Sequence, residues 1–129
     1  MQNSKSDTLM TGKMHSKQYD LEDRTLKYSK SLINFTNNIS KSIANVEIIR
    51  QLIRSGCSVG ANYIEANESL SRKDFIMRVK ICRKEAKESI YWLKLIEINS
   101  KEVEEKRQQL IQEMNELMKI FGAIIEKTK

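Results

Sequence analysis

The sequence predicts an all-α fold, an antiparallel up-down-up-down bundle of four helices. Three observations carry that expectation. The 129-residue chain has no proline, four glycines and 31% charged residues, a composition suited to helix almost throughout. Apolar residues recur every three or four positions along four long stretches, the period of helices that each bury one face. The breaks between these stretches are short, and short connections make consecutive helices antiparallel neighbours.

Residues 1–18, MQNSKSDTLMTGKMHSKQ, are polar and aperiodic. They are expected to form a disordered tail, which leaves residues 19–129 as a single bundle domain. The first helix is expected from about Leu21 to Ser42, with Asp20 as its N-cap and Glu22 and Asp23 at the positive end of its dipole. Leu21, Thr25, Tyr28, Leu32, Phe35 and Ile39 step by four and three, a seam that faces a partner.

The second helix is expected from about Val46 to Glu68, capped by Asn45. One seam runs through Val46, Ile49, Ile53, Gly56, Gly60, Tyr63 and Asn67, and a second through Ile48, Leu52, Val59 and Ala66. Two adjacent seams predict a deeply buried helix. Gly56 and Gly60 stack one turn apart among Ser55, Ser58 and Ala61. A glycine inside a helix costs about 0.5–1 kcal/mol relative to alanine, so this pair marks a close approach. The approach is tight packing inside the bundle, a subunit contact or a ligand contact. Arg50, Arg54, Glu65 and Glu68 around it exclude a membrane dimer motif.

Ser71 and Asp74 form a variant capping box ahead of a third helix, expected from Arg72 to about Ile98. Its core side is Phe75, Val79, Cys82, Ala86, Leu93 and Ile96, with Ile76 and Ile90 beside them. Ser100 caps a fourth helix, expected from Lys101 to about Lys127. Its seam is Val103, Leu110, Met114, Leu117, Phe121 and Ile124, interrupted at the same phase by Arg107.

The charge is uneven. The chain carries a formal +6, but eight Lys and Arg face three acids between Arg72 and Lys94, whereas residues 101–129 hold six of each sign. Lys73, Lys80, Lys84, Lys87 and Lys94 line one side of the third helix with Tyr91 among them, and Arg78 and Arg83 fall on neighbouring turns. With Arg50 and Arg54 of the second helix, these are the candidate contacts to an anionic partner, for which the phosphates of RNA or DNA are the expected ligand. Pairing of Glu85 or Glu88 with nearby lysines would blunt the ridge. Tyr63, Tyr91 and Trp92, with Gly56 and Gly60, are expected at packing or subunit contacts.

No catalytic set emerges. The one histidine, His15, lies in the polar tail, so a His-based triad is excluded from the bundle. Cys57 and Cys82 occupy apolar helical positions without a base partner and read as free thiols. Neither Cys/His metal spacing nor a glycine-rich phosphate loop is present, and no cofactor is expected. There is no apolar run long enough to span a membrane and no apolar signal region, so the expected compartment is the cytoplasm.

Two segments, QLIRSGCSVGANYIEAN and SRKDFIMRVKICRKEAKESIYWLKLI, resemble the four-helix-bundle family encoded in 23S ribosomal RNA intervening sequences. The pattern is an RSA-x-SVGANxxEA segment, a DF pair and a KEAxExxYWL segment. Here these fall at Arg54 to Ala66, Asp74–Phe75 and Lys84 to Leu93. Gly56 departs from the usual alanine, and the usual proline near Ala44–Asn45 is missing. The resemblance implies a four-helix bundle, assembly as a ring-like homopentamer and no established enzyme activity. It also implies kinship with the accessory variability determinant of diversity-generating retroelements, which binds a reverse transcriptase and nucleic acid through a basic surface. The combined expectation is a non-enzymatic nucleic-acid-binding accessory protein. The alternative is a scaffold that docks an acidic protein partner such as a reverse transcriptase.

Overall fold

Three of the four helices start at a serine whose hydroxyl accepts the backbone N–H three residues on. In the computed structural model, which describes the backbone of residues 5–129 and the side chains of residues 20–129, the helices are α1 (Lys5–Thr36), α2 (Ile43–Asn67), α3 (Arg72–Leu95) and α4 (Lys101–Lys127). Ser71 and Ser100 cap α3 and α4 at 3.1 and 3.3 Å, as the sequence predicts. α2 differs. Its cap is Ser42, which accepts the N–H of Asn45 at 3.1 Å, so the helix starts three residues ahead of the expected Val46.

α1 begins at Lys5, inside the segment expected as a tail, and residues 1–4 of that segment lie outside the described residues. The stretch contains no proline, and adding residues to an existing helix is far less costly than starting one. α1 also stops at Thr36, short of the expected Ser42, where the run Asn37–Asn38 turns the chain.

Each helix packs on the next and α4 closes against α1, while among the described residues the diagonal helices keep their backbones apart and meet through side chains in the core. That is the up-down-up-down arrangement. The predicted seam of α1 is buried throughout, from Leu21 to Ile39. It meets Leu52, Val59, Tyr63 and Ala66 of α2, Val79, Cys82, Ala86, Ile90 and Leu93 of α3, and Leu110, Met114, Leu117, Phe121 and Ile125 of α4. Tyr63 sits inside this core with its ring 6.0 Å from that of Phe121. Full burial of a side chain such as Leu32, Leu117 or Phe121 contributes about 1.5–3 kcal/mol each.

The two glycines of α2 face α1. A Cβ on Gly56 would collide with Leu32 Cδ2, and one on Gly60 would lie 2.9 Å from Thr25 Oγ1. Thr25 itself turns its hydroxyl back to donate to the Leu21 carbonyl at 2.8 Å. The small surface therefore lets α1 approach the α2 backbone.

Polar side chains fasten the ends and seams. Asn45 is buried. Its Nδ2 donates to the Ser40 carbonyl at 2.9 Å and the Glu97 carbonyl at 3.1 Å, while its Oδ1 accepts the Glu97 N–H at 3.1 Å. It thus staples the α1–α2 connection to the end of α3. Arg107, which interrupts the seam of α4, donates Nη1 to the carbonyls of Leu93 at 3.1 Å and Ile96 at 2.5 Å. A cation there satisfies orphaned carbonyls at the negative end of the α3 dipole. Across the closing seam, Arg24 makes a bidentate pair with Glu113 at 2.6 and 2.9 Å, and the buried Tyr28 hydroxyl donates to the Leu110 carbonyl at 3.0 Å.

Candidate nucleic-acid interface

α3 presents two chemically different sides. Toward α2 its polar groups are partnered. Arg54 of α2 lies 3.4 Å from Glu85 and also pairs with Glu88, and Arg78 donates to Asn62 Oδ1 at 2.9 Å. Glu85 Oε1 is buried and accepts no hydrogen bond, so its ionic contact with Arg54 is its compensation. Both acids of the α3 middle are turned to α2. They form no ion pair with the lysines among the described residues.

Toward solvent the picture reverses. Lys73, Lys80, Arg83, Lys84, Lys87 and Lys94 are all exposed, and none has an acidic side chain within ion-pair distance among the described residues. From Lys73 to Lys94 the line spans about 32 Å at the helical rise. The backbone beneath it is a regular helix, so the line is a rigid ridge of positive charge.

The predicted cations therefore divide. Six stand on the outer ridge. Arg54 and Arg78 serve the α2–α3 seam, and the exposed Arg50 lies 3.9 Å from Glu47 on its own helix. The sequence assigned all nine to one surface because spacing alone does not set the rotation of α2 against α3.

The aromatic pair also divides. Trp92 is half-buried and packs against the core, with its Nε1 buried and unpartnered among the described residues. Tyr91 is 59% exposed, and its ring stands edge-on to Trp92 with centroids 5.0 Å apart and planes at 72°. Tyr91 follows Lys87 by four residues and precedes Lys94 by three, which places all three on one face.

Other sites are chemically poor. A groove of about 350 Å³ lies between α1 and α4 over Tyr28, Phe35 and Leu110, away from the ridge cations. Among the described residues no three His, Cys, Asp or Glu side chains converge for a metal, and no helix is long and apolar enough to cross a membrane. Both cysteines are free. Burial pushes the Cys82 thiol up to about 12, and its Sγ donates to the Val59 carbonyl at 3.4 Å, so it is a core thiol and not a nucleophile.

The described residues form a four-helix bundle with six exposed Lys and Arg along the outer side of α3. Comparison with known proteins is specific. The 23S rRNA-intervening sequence protein family matches residues 17–123, and the chain belongs to that family. A crystal structure of a protein of unknown function from the S23 ribosomal protein family of Bacteroides thetaiotaomicron is similar at 30% identity. The alignment covers 85% of this chain and 98% of that one, with a TM-score of 0.74. No curated protein matches the chain.

Proposed function

We propose that the protein is a non-enzymatic, self-associating accessory factor that binds the sugar–phosphate backbone of RNA or DNA through the outer side of α3. The observation that carries this reading is the ridge of six cations without acidic partners among the described residues, on a rigid helix. Unpaired, regularly spaced Lys and Arg neutralise phosphates and release counterions without reading sequence. The ribosomal association in the names of the family and of the structural neighbour puts RNA first among the anions to try. The resemblance to the accessory determinant of retroelements supports the same use of a basic surface.

Self-association has its own support. Leu26 and Ile33 of α1, seven residues apart, are 53% and 45% exposed, and Ile64 of α2 is 50% exposed. They belong to the two helices that meet where Gly60 approaches Thr25, and Val46 of α2 is exposed as well. Burying such a face is what a subunit contact does. A ring of five is the assembly that the family resemblance implies. Light scattering on the purified protein is expected to give one species of several chains, and a monomer at working concentration refutes the assembly.

The test of the ligand is a titration of nuclease-treated protein with RNA and DNA of equal length at several salt concentrations. If all six cations meet phosphates, log affinity falls against log salt with a slope of about four to five. Lys80, Lys84 and Lys87 all changed to Glu are expected to make the slope shallower by about two to three and to abolish binding at moderate salt. Unchanged binding by that variant removes the ridge as the site. No binding by the parent protein at low salt moves the assignment to an acidic protein partner.

A further inference from the structure

We infer that Tyr91 is a stacking platform for an unpaired base, so that the ridge takes single-stranded nucleic acid in preference to a continuous duplex. The inference rests on the ridge reading above and adds the class of ligand.

Tyr91 is the one aromatic side chain among the large exposed hydrophobics of the described residues. Its position is set by the lysines: Lys84 and Lys87 precede it by seven and four residues, and Lys94 follows by three. Cations and ring therefore share one face of α3. The ring is also braced. Trp92, anchored against the core, holds it edge-on at 5.0 Å, which limits the entropy lost when a ligand orders it.

A ring among phosphate-binding cations contributes only if a base reaches it. In a duplex the bases are stacked inside and the ridge sees only the backbone. In a single strand each base offers a face, and stacking on an aromatic side chain strengthens binding without sequence preference. The arrangement of lysines on either side of a braced tyrosine fits a strand whose phosphates lie along α3 while one base turns in.

The test uses the full-length protein, a labelled unstructured RNA oligomer and a duplex RNA of equal charge. Trp92 is the only tryptophan, and it touches the proposed platform, so its fluorescence reports on Tyr91 directly. Tyr91→Ala is expected to weaken single-strand binding about tenfold or more, to leave duplex binding and the salt slope unchanged, and to abolish the change in Trp92 fluorescence on adding the oligomer. Tyr91→Phe, which keeps the ring, is expected to bind like the parent. The inference is overturned if Tyr91→Ala binds single strands normally, if it weakens both ligands equally, or if it changes the mass of the assembly, which would make Tyr91 a subunit contact. The Lys80/Lys84/Lys87→Glu variant separates the two levels. If it binds normally, the ridge reading itself fails; if it loses binding while Tyr91→Ala does not, only the stacking role fails.

Discussion

The two sides of α3 carry the same kinds of side chain to opposite ends. Toward α2, Arg78 faces Asn62, and Glu85 and Glu88 face Arg54. On the outer side Lys80, Lys84 and Lys87 face water with no acid in reach among the described residues. Charge that is partnered within the fold serves the fold. Charge left unpartnered is free to act on something else. Because Glu85 and Glu88 both turn to Arg54, neither forms an ion pair with the lysines one turn away on the same helix among the described residues.

This contrast predicts that changes on the inner side and at the ends of α3 cost stability, whereas changes on the outer side cost binding. The largest loss of stability is expected at Asn45. Asn45→Ala removes three hydrogen bonds and leaves the Glu97 N–H without its partner, a loss of about 2–4 kcal/mol. Urea denaturation measures it, and an effect below about 1 kcal/mol would mean that the two connections are not joined through this side chain.

Arg107→Met follows. It keeps the apolar stem but removes the cap on the Leu93 and Ile96 carbonyls, for an expected cost of about 1.5–3 kcal/mol. The salt slope of nucleic-acid binding should not move.

Alkaline pH gives a smaller and graded effect. Burial raises the Cys82 thiol from 9.0 to about 12. Above pH 9 the unfolded chain therefore holds a thiolate while the folded chain keeps its proton. Unfolding then releases a proton, so stability should fall between pH 9 and 12 by up to about 1.4 kcal/mol per pH unit from this group. Burial raises Tyr28 and Tyr63 as well, and they act in the same direction above their ordinary range. Denaturation midpoints measured from pH 8 to 11 check the sign. Cys82→Ala should start from a lower stability and lose less of it between pH 9 and 10.

The smallest change in nucleic-acid binding is expected from Arg54→Ala, because the residue stands off the ridge. Its pair with Glu88 is partly exposed and worth about 1 kcal/mol or less, and the buried Glu85 oxygen loses its compensating contact, so a loss of stability accompanies it. A marked fall in nucleic-acid affinity in this variant would erase the distinction between the two sides.

The parts of this architecture that were legible in the sequence were those that local chemistry determines. The seam from Leu21 to Ile39 announced its own buried face, and Ser71 and Ser100 announced the starts of α3 and α4. The start of α2 was harder to read because Ser42 and Asn45 are both good caps. Only the packed structure shows Asn45 reaching Glu97, 52 residues away. Arg107 looked like a flaw in a seam because its partners are main-chain carbonyls, which leave no trace in a side-chain pattern. Arg54 could not be separated from the ridge cations, since its acids lie 31 and 34 residues on and the pairing depends on how α2 is rotated against α3. Tyr91 was read two ways: its spacing from Lys87 and Lys94 placed it on the lysine face, while the general tendency of large aromatics to pack put it among the expected packing or subunit contacts.

The two cysteines give the molecule an internal clock. Cys57 is half-buried, whereas Cys82 is fully buried with its sulfur against the Val59 backbone across the α2–α3 seam. A thiol reagent can reach Cys82 only when these two helices part. Its rate of modification relative to that of Cys57 therefore counts how often the bundle opens at that seam, and a ligand laid along the outside of α3 should slow it in proportion to how tightly it is held.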